Sequence, residues 1–510
     1  MGAPDARDDL SESSSVEEYL QASLLGWLNS PDQSALTSFT DHYLVKGLLR
    51  PERARLNRAW VAYASGDFQR ALEELPEQLS DFGSSHWSFA AEAAFIRALI
   101  HYCTGQLEEA LTYLRLAQVG LHDRAREIFL LPTLLIQSLI AFHNRQRDFA
   151  DSTWQAAAHL AAETPIESGW KKTIAAIAHV GDGNFDQARD DALAATALFK
   201  DAGPHFPIQA PWLLLGQMVR DQGDAETSAH YLSKGIAALD DFPALPLHAE
   251  FLATKAHLAV DEQQNNASEL VDGVAALSSH LFATGELQEQ IDYLEAGLRI
   301  RTNEMTRARV IANRLEKLPR REFIEAVLDA ETRPSKTLGV LAAGKYRWYR
   351  DQIEVEIIRA RARRKDPHAA AVQIWRAIER ASNTGSIRPF LEVPIAALNF
   401  SNPEMLDQLD ATKPGGEEGS RAEALLERIL EAHSRIALTG PASHALSSRE
   451  LEILRAVAAG GDFNTVAKVL VVSPWTVRGH FYSACRKLGV SGKDAAISKL
   501  REIETPRPEH

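Results

Sequence analysis

One break, returning about every 40 residues in an otherwise helical text, limits most what this chain can fold into. Ser65-Gly66-Asp67-Phe68 precedes Arg70-Ala71-Leu72, and Thr104-Gly105-Gln106-Leu107 precedes Glu109-Ala110-Leu111. Asp182-Gly183-Asn184-Phe185 precedes Gln187-Ala188-Arg189, Gln222-Gly223-Asp224-Ala225 precedes Ser228-Ala229, and a weaker copy sits at Arg147-Asp148-Phe149. Taking Gly66, Gly105, Arg147, Gly183 and Gly223 as equivalent, the steps are 39, 42, 36 and 40 residues. Such a period belongs to helical hairpins stacked one on the next. Gly permits the tight turn, Asp or Asn caps the following helix, and Ala lets two helices approach closely. Each hairpin then buries its apolar face on its neighbours. From about residue 20 to 400 apolar residues recur at helical spacing, with no alternation of strands and helices. After about residue 270 the period decays, and only helical character is read.

With 510 residues, more than one structural unit is expected. Apolar residues at 45% and charged residues at 24% exclude wholesale disorder. The net charge of -14 opposes nucleic-acid binding only when taken as a whole. From Ser443 onward ten Lys or Arg face seven Asp or Glu, which is +3 and leaves -17 for the other 442 residues. An acidic body beside a mildly basic tail fits a chain in which the tail alone meets DNA.

Cys103 and Cys485 are too few for a disulfide framework or a metal knuckle, which fits a reducing cytoplasm. Residues 1–15 form an acidic polar tail without a leader pattern, and no run of about 18 apolar residues exists, so no membrane contact is expected. Gly344-Lys345 lacks the upstream Gly and following hydroxyl of a phosphate-binding loop, and neither His-Glu-x-x-His nor Gly-x-Ser-x-Gly occurs. No catalytic residue, cofactor or metal is expected.

The turns resemble those of tetratricopeptide repeats, as does Trp60-x-x-Tyr63-x-x-Gly66, although the period exceeds that family's usual length. A basic run, Arg359 to Lys365, is read as a solvated helix face, with a DNA contact as the minor alternative. Asp366-Pro367 then opens a helix through Ala381, followed by Gly385-Ser386-Ile387-Arg388-Pro389-Phe390-Leu391. This order is similar to the region before the DNA-binding module in large LuxR-type regulators related to the maltose activator, without their ATPase module. Lys413 to Ser420 has linker composition, and one helix is expected from about Arg421 to Leu438.

Ser447-x-x-Glu450 is a capping box that starts a helix running to about Ala459, ended by Gly460-Gly461. A short helix from Phe463 to Leu470 follows, then a turn at Val471-Val472. Ser473-Pro474 opens a third helix through Leu488, which completes a helix-turn-helix. Leu446-x-x-Arg449-Glu450-x-Glu452-Ile453-Leu454, Ala458-x-Gly460, Val466-Ala467-x-x-Leu470-x-Val472-Ser473-x-x-Thr476-Val477-Arg478-x-His480 and Lys487-Leu488-x-Val490 together resemble the LuxR/GerE-type DNA-binding domain.

That resemblance implies a third helix lying in the major groove of double-stranded DNA. Arg478 aligns with the family's basic reader, and a guanidinium can contact guanine O6 and N7 together. Gly479 and Tyr482 match its other groove-facing positions, Ser473, Trp475 and Thr476 stand at the helix entry near phosphate, and Lys468 and Arg486 add charge. Phe481 and Ala484 exchange large for small and small for large in the expected core, and His480 is read as a packing residue. A fourth helix, Ser491 to about Glu502, matches the one through which family members pair, which implies a homodimer on an inverted repeat.

The expected architecture is therefore all-α: residues 1–15 a tail, 16–400 a tetratricopeptide-like solenoid, 401–442 a linker with one helix, 443–504 a four-helix LuxR-type domain, and 505–510 a tail. The expected function is that of a cytoplasmic bacterial transcription regulator whose repeat domain senses a small-molecule effector, with RNA polymerase admitted as a further partner. The alternative is a repeat domain that binds a protein. Trp60, Tyr63, Trp87, Tyr102, His143, Trp154, Trp170 and Trp212 include cavity candidates, but aromatics at helical spacing are more often core.

Overall fold

A computed structural model describes residues 34–76, 87–120, 123–162, 164–200, 209–241, 244–262, 264–277, 285–316, 318–344, 346–392, 403–437, 446–470, 472, 474–490 and 492–504. Every regular element among the described residues is a helix. The acidic tail at 1–15 lies outside them.

The periodic breaks are one turn made repeatedly. At Gly66 the N–H bonds the Tyr63 carbonyl while the Asp67 N–H reaches back to Ala62, the paired bonds of a Schellman motif. The second of these bonds recurs as Gln106 to His101, Gln146 to Ala141, Asn184 to His179, Asp224 to Val219, Gln264 to Ala259 and Glu304 to Arg299. From Asp67 onward the donors are spaced 39, 40, 38, 40, 40 and 40 residues apart. The period thus continues to about residue 304, well past the point where the sequence pattern fades. The left-handed position holds Gly at 66, 105, 183 and 223, but Arg145 (φ +53°) and Asn303 (φ +63°) occupy it elsewhere. Arg145, two residues before the anchor expected at Arg147, is the true equivalent in the third turn. Gly105 has a second constraint, since a Cβ there would lie 2.6 Å from the Leu287 Cβ.

The chain forms two compact units. The first comprises the described residues within 34–218, 227–254 and 273–291. Within it, helix Pro51–Ala64 pairs with Phe68–Glu74, Trp87–Cys103 with Leu107–Gly120, Asp123–His143 with Arg147–Ala158, and Pro165–Asp182 with Phe185–Leu198. The leading helices of successive hairpins also pack on one another. An aromatic cluster of Trp60, Phe95 and Phe129 joins three of those leading helices. Trp60 Nε1 and Arg53 Nη1 both donate to the buried Glu92 carboxylate, at 2.8 and 2.7 Å. Tyr102 bonds His143 at 3.1 Å, and Gln290 meets the other ring nitrogen of His143. Trp60, Tyr63, Tyr102, His143 and Trp170 are buried in this core, whereas Trp154 and Trp212 are half-buried. The side chain of Trp87 lies outside the described residues.

The second unit comprises the described residues within 219–226, 255–272 and 292–504. A buried ionic cluster sits within it. Arg220 bonds Asp261 and Glu392, Arg301 bonds Asp261, Arg350 bonds Asp221 and Glu392, and Arg388 lies 3.4 Å from Asp261. Burial alone would raise the Glu392 carboxyl, but Arg220, Arg350 and Arg301 outweigh it and hold this group well below its ordinary value. Arg388 and Glu392 bound the Arg-Pro-Phe-Leu segment noted in the sequence, and Phe390 beside them is fully buried. The basic run is likewise engaged internally: Arg359 pairs with Glu356, while Arg361 and Arg364 pair with Glu331.

Asp366 caps helix Pro367–Ser382 by accepting from the Ala369 N–H at 3.0 Å. On this helix pack two more, Pro403–Ala411 and Gly416–Ala437. The composition of residues 413–420 suggests a linker, yet the second of these helices begins inside it. Ala422, Leu425, Leu426, Ile429 and Leu430 supply a buried stripe that fixes the helix against Trp375, Leu406 and Leu409. Trp375 Nε1 also donates to the Leu409 carbonyl at 2.8 Å. The region before the C-terminal domain therefore holds two helices where one was expected.

Candidate nucleic-acid interface

Residues 446–504 form the expected four helices, Ser448–Ala458, Phe463–Leu470, Pro474–Leu488 and Lys493–Glu504. The capping box is present in both directions: the Glu450 N–H donates to Ser447 Oγ at 3.2 Å, and the Ser447 N–H donates to the Glu450 carboxylate at 2.7 Å. Glu450 does more than the motif requires. Its two oxygens also accept from Ser483 Oγ and Lys487 Nζ, each at 2.7 Å, which ties the first helix to the third. Burial would raise this carboxyl, but the Lys487, Ser483 and Ser447 bonds prevail and bring it down to about 2. Arg449 adds a bond to the Leu470 carbonyl at the end of the second helix.

Gly460 turns the chain at φ +96°, and the next residue leaves no room for a side chain, because a Cβ on Gly461 would meet Val466 Cγ2 at 2.7 Å. The three helices of the motif and the fourth close over Ile453, Leu454, Val457, Val466, Ala467, Val477, Phe481, Ala484, Cys485, Ala496 and Leu500. Phe481 and Ala484 are both buried here, so the expected exchange of volumes falls within one core. Burial pushes the Cys485 thiol up to about 12, as it does for Cys103 in the first unit. His480 is half-buried, and burial lowers its pKa, in keeping with a packing residue.

The residues singled out for DNA contact divide into three groups. Lys468 is exposed on the second helix. Arg478, Gly479 and Tyr482 lie within about 100° of one another around the third helix, and Thr476 stands nearer its N-terminus, about 60° beyond Gly479. Ser473 lies outside the described residues, as do the side chains of Trp475 and Arg486. Within the second group, the Arg478 guanidinium lies 5.6 Å over the Phe463 ring and forms an ion pair of 2.5 Å with Glu427. Thr476 Oγ1 donates to the Asp407 carboxylate. Tyr482 belongs partly to the core of its own domain and partly to the cluster built by helices 403–411 and 416–437. Gly479 is buried. None of these acidic neighbours was identified from the sequence.

Residues 444–500 match the family described as bacterial regulatory proteins, luxR family. The chain is also 39% identical over 59 residues to the probable transcriptional regulatory protein NarL of Mycobacterium tuberculosis, in both strain CDC 1551 / Oshkosh and strain ATCC 25618 / H37Rv. The similarity covers 12% of this chain and 27% of each relative, so the chain spans about a quarter of the length of the curated relatives it matches. With the capping box, the short second helix and the buried third helix in place, the C-terminal domain of this chain, helical throughout its described residues, is a LuxR-type helix-turn-helix domain.

Proposed function

We propose that this chain is a sequence-specific DNA-binding transcription regulator whose helical-repeat region governs the C-terminal domain in response to a small-molecule effector. The observation that carries the DNA reading is the third helix of the luxR-family match, which carries Arg478, Gly479 and Tyr482 on one side and Thr476 near its N-terminus, and which Glu450 ties to the first helix. The relatives' description as transcriptional regulators supports the same reading. In it Arg478 reads base edges, Lys468, Ser473, Trp475, Thr476 and Arg486 serve the backbone, and Tyr482 and Gly479 face the groove. Pairing through helix Lys493–Glu504 would place two such helices on an inverted repeat.

The test is a duplex selected from a random-sequence pool and probed by mobility shift. Arg478→Ala is expected to lose sequence preference while circular dichroism stays unchanged, and full retention of preference would refute the base-reading role. A second reading, a repeat region that holds a protein, draws on the stacked hairpins and their resemblance to tetratricopeptide arrays. A thermal-shift screen with metabolites and a pull-down of a stoichiometric partner separate the two.

A further inference from the structure

The side of the third helix that would enter the groove is already occupied by the chain itself. Arg478 is only 11% exposed and is paired with Glu427, and Thr476 is buried and bonded to Asp407. One turn further on, Tyr482 packs against the cluster that contains Leu406, Leu426 and Ile429. These contacts come from two helices, Pro403–Ala411 and Gly416–Ala437, whose residues 403–437 carry eight Asp or Glu against four Lys or Arg. Carboxylates thus stand against the side chains that phosphates or guanine acceptors would otherwise meet.

The local electrostatics agree. The Tyr482 hydroxyl is pushed up to about 12 by burial first and then by Glu431 and Glu427. The Asp410 carboxyl is raised by burial, with Asp407 and Glu423 adding to it against Lys413 and Arg478. Acidic groups of both helices therefore face the third helix. A major groove takes up the full width of an inserted helix, so this pair and a duplex cannot share that side.

We propose that helices 403–411 and 416–437 act as an internal acidic cover on the DNA-reading side of the third helix, closing this chain to DNA until they part from it. The proposal rests on the DNA-binding reading above. The cover is anchored in the core formed with Trp375 and Phe390, and both of its helices pack along the third helix, with the Glu427 and Asp407 bonds and the Tyr482 contact among the ties. Glu427 is 44% exposed, so its ion pair is screened and readily broken. Opening thus separates both helices from the third helix together, and costs their packing along it as well as these polar bonds.

The test uses the full chain and a labelled random-sequence duplex pool of about 30 base pairs, long enough for two half-sites one helical turn apart. Asp407→Asn with Glu427→Gln is expected to bind the pool at least about tenfold more tightly than Glu417→Gln with Glu418→Gln, a control of equal charge on exposed residues of helix Gly416–Ala437. A second variant, Asp407→Cys with Thr476→Cys, is expected to cross-link on oxidation and to bind the pool more weakly oxidised than reduced, a comparison within one variant that holds whatever Thr476 itself adds to binding. Equal affinity of the neutralised variant and its control, failure of the cross-link to form, or undiminished binding by the oxidised form would each overturn the cover and leave the DNA reading standing. If no form binds duplex, including the neutralised and reduced variants, the DNA reading falls and the cover falls with it.

Discussion

The hairpin array and the C-terminal domain are both made of short helices, but they fix the angles between those helices in opposite ways. In the array one hydrogen-bonded turn is repeated seven times between Asp67 and Glu304, and the left-handed position within it accepts Arg145 and Asn303 as well as Gly. The conformational cost of a side chain there, about 1 kcal/mol, is spread over a surface where each hairpin is also braced by its neighbours. In the C-terminal domain a single carboxylate, Glu450, holds the first cap, Ser483 and Lys487 at once. Redundancy in one region stands against concentration in the other. Single changes should therefore be felt far more sharply in the small domain than in the array.

The largest expected effect comes from its core. Phe481→Ala removes a fully buried ring and should cost about 3–5 kcal/mol, enough to unfold the domain alone. Thermal unfolding followed by circular dichroism should then lose a small helical fraction early and keep the main transition in place. A single shifted transition would instead mean that the two regions unfold as one, which would break the comparison.

Glu450→Gln is expected to cost about 1–3 kcal/mol, measured as a shift in the denaturant midpoint of the domain's transition. The pH dependence has a definite sign. The folded carboxyl titrates at about 2 and its ordinary value is 4.5, so its contribution is complete above about pH 4.5 and is lost as pH falls toward 2. The variant should flatten that part of the profile. An unchanged profile would remove Glu450 from the centre of the domain's design.

Asn303→Gly, in the array, carries the smallest effect. Relief of the left-handed strain and the greater freedom of Gly in the unfolded chain oppose each other, leaving a change within about 0.5 kcal/mol. A loss well above that, seen in the midpoint of the main transition, would show that the Asn side chain is itself a structural tie.

These differences also explain what could be read in advance. The four Gly turns were legible because Gly in a helical text marks a stop, and Asp67 and Asn184 beside it mark the next start. The turn at Arg145 was read two residues late, from the weaker copy at Arg147-Asp148-Phe149, and those at Gln264 and Asn303 were missed because no Gly marks them; a search at a fixed step of about 40 residues from Asp224 reaches both. The C-terminal helices were placed within two residues, since Ser447, Glu450 and Pro474 are punctuation that acts over one turn. Helix Gly416–Ala437 was read as partly linker because its first turn holds Gly, Glu and Ser, while the apolar stripe that fixes it begins only at Ala422. The acidic neighbours of Arg478 and Thr476 were beyond reach. They depend on side chains meeting across 51 and 69 residues, and no local pattern records such a meeting.

Cys103 and Cys485 are both buried, with thiols that hold their protons up to about pH 12. Electrophilic dyes and spin labels react with exposed thiolates, so wild-type chain should take up almost none. The molecule is thus ready for site-directed labelling without prior removal of its own cysteines. One introduced thiol on helix Gly416–Ala437 and another on helix Lys493–Glu504 would give a distance ruler for fluorescence or spin-resonance measurements on the intact protein.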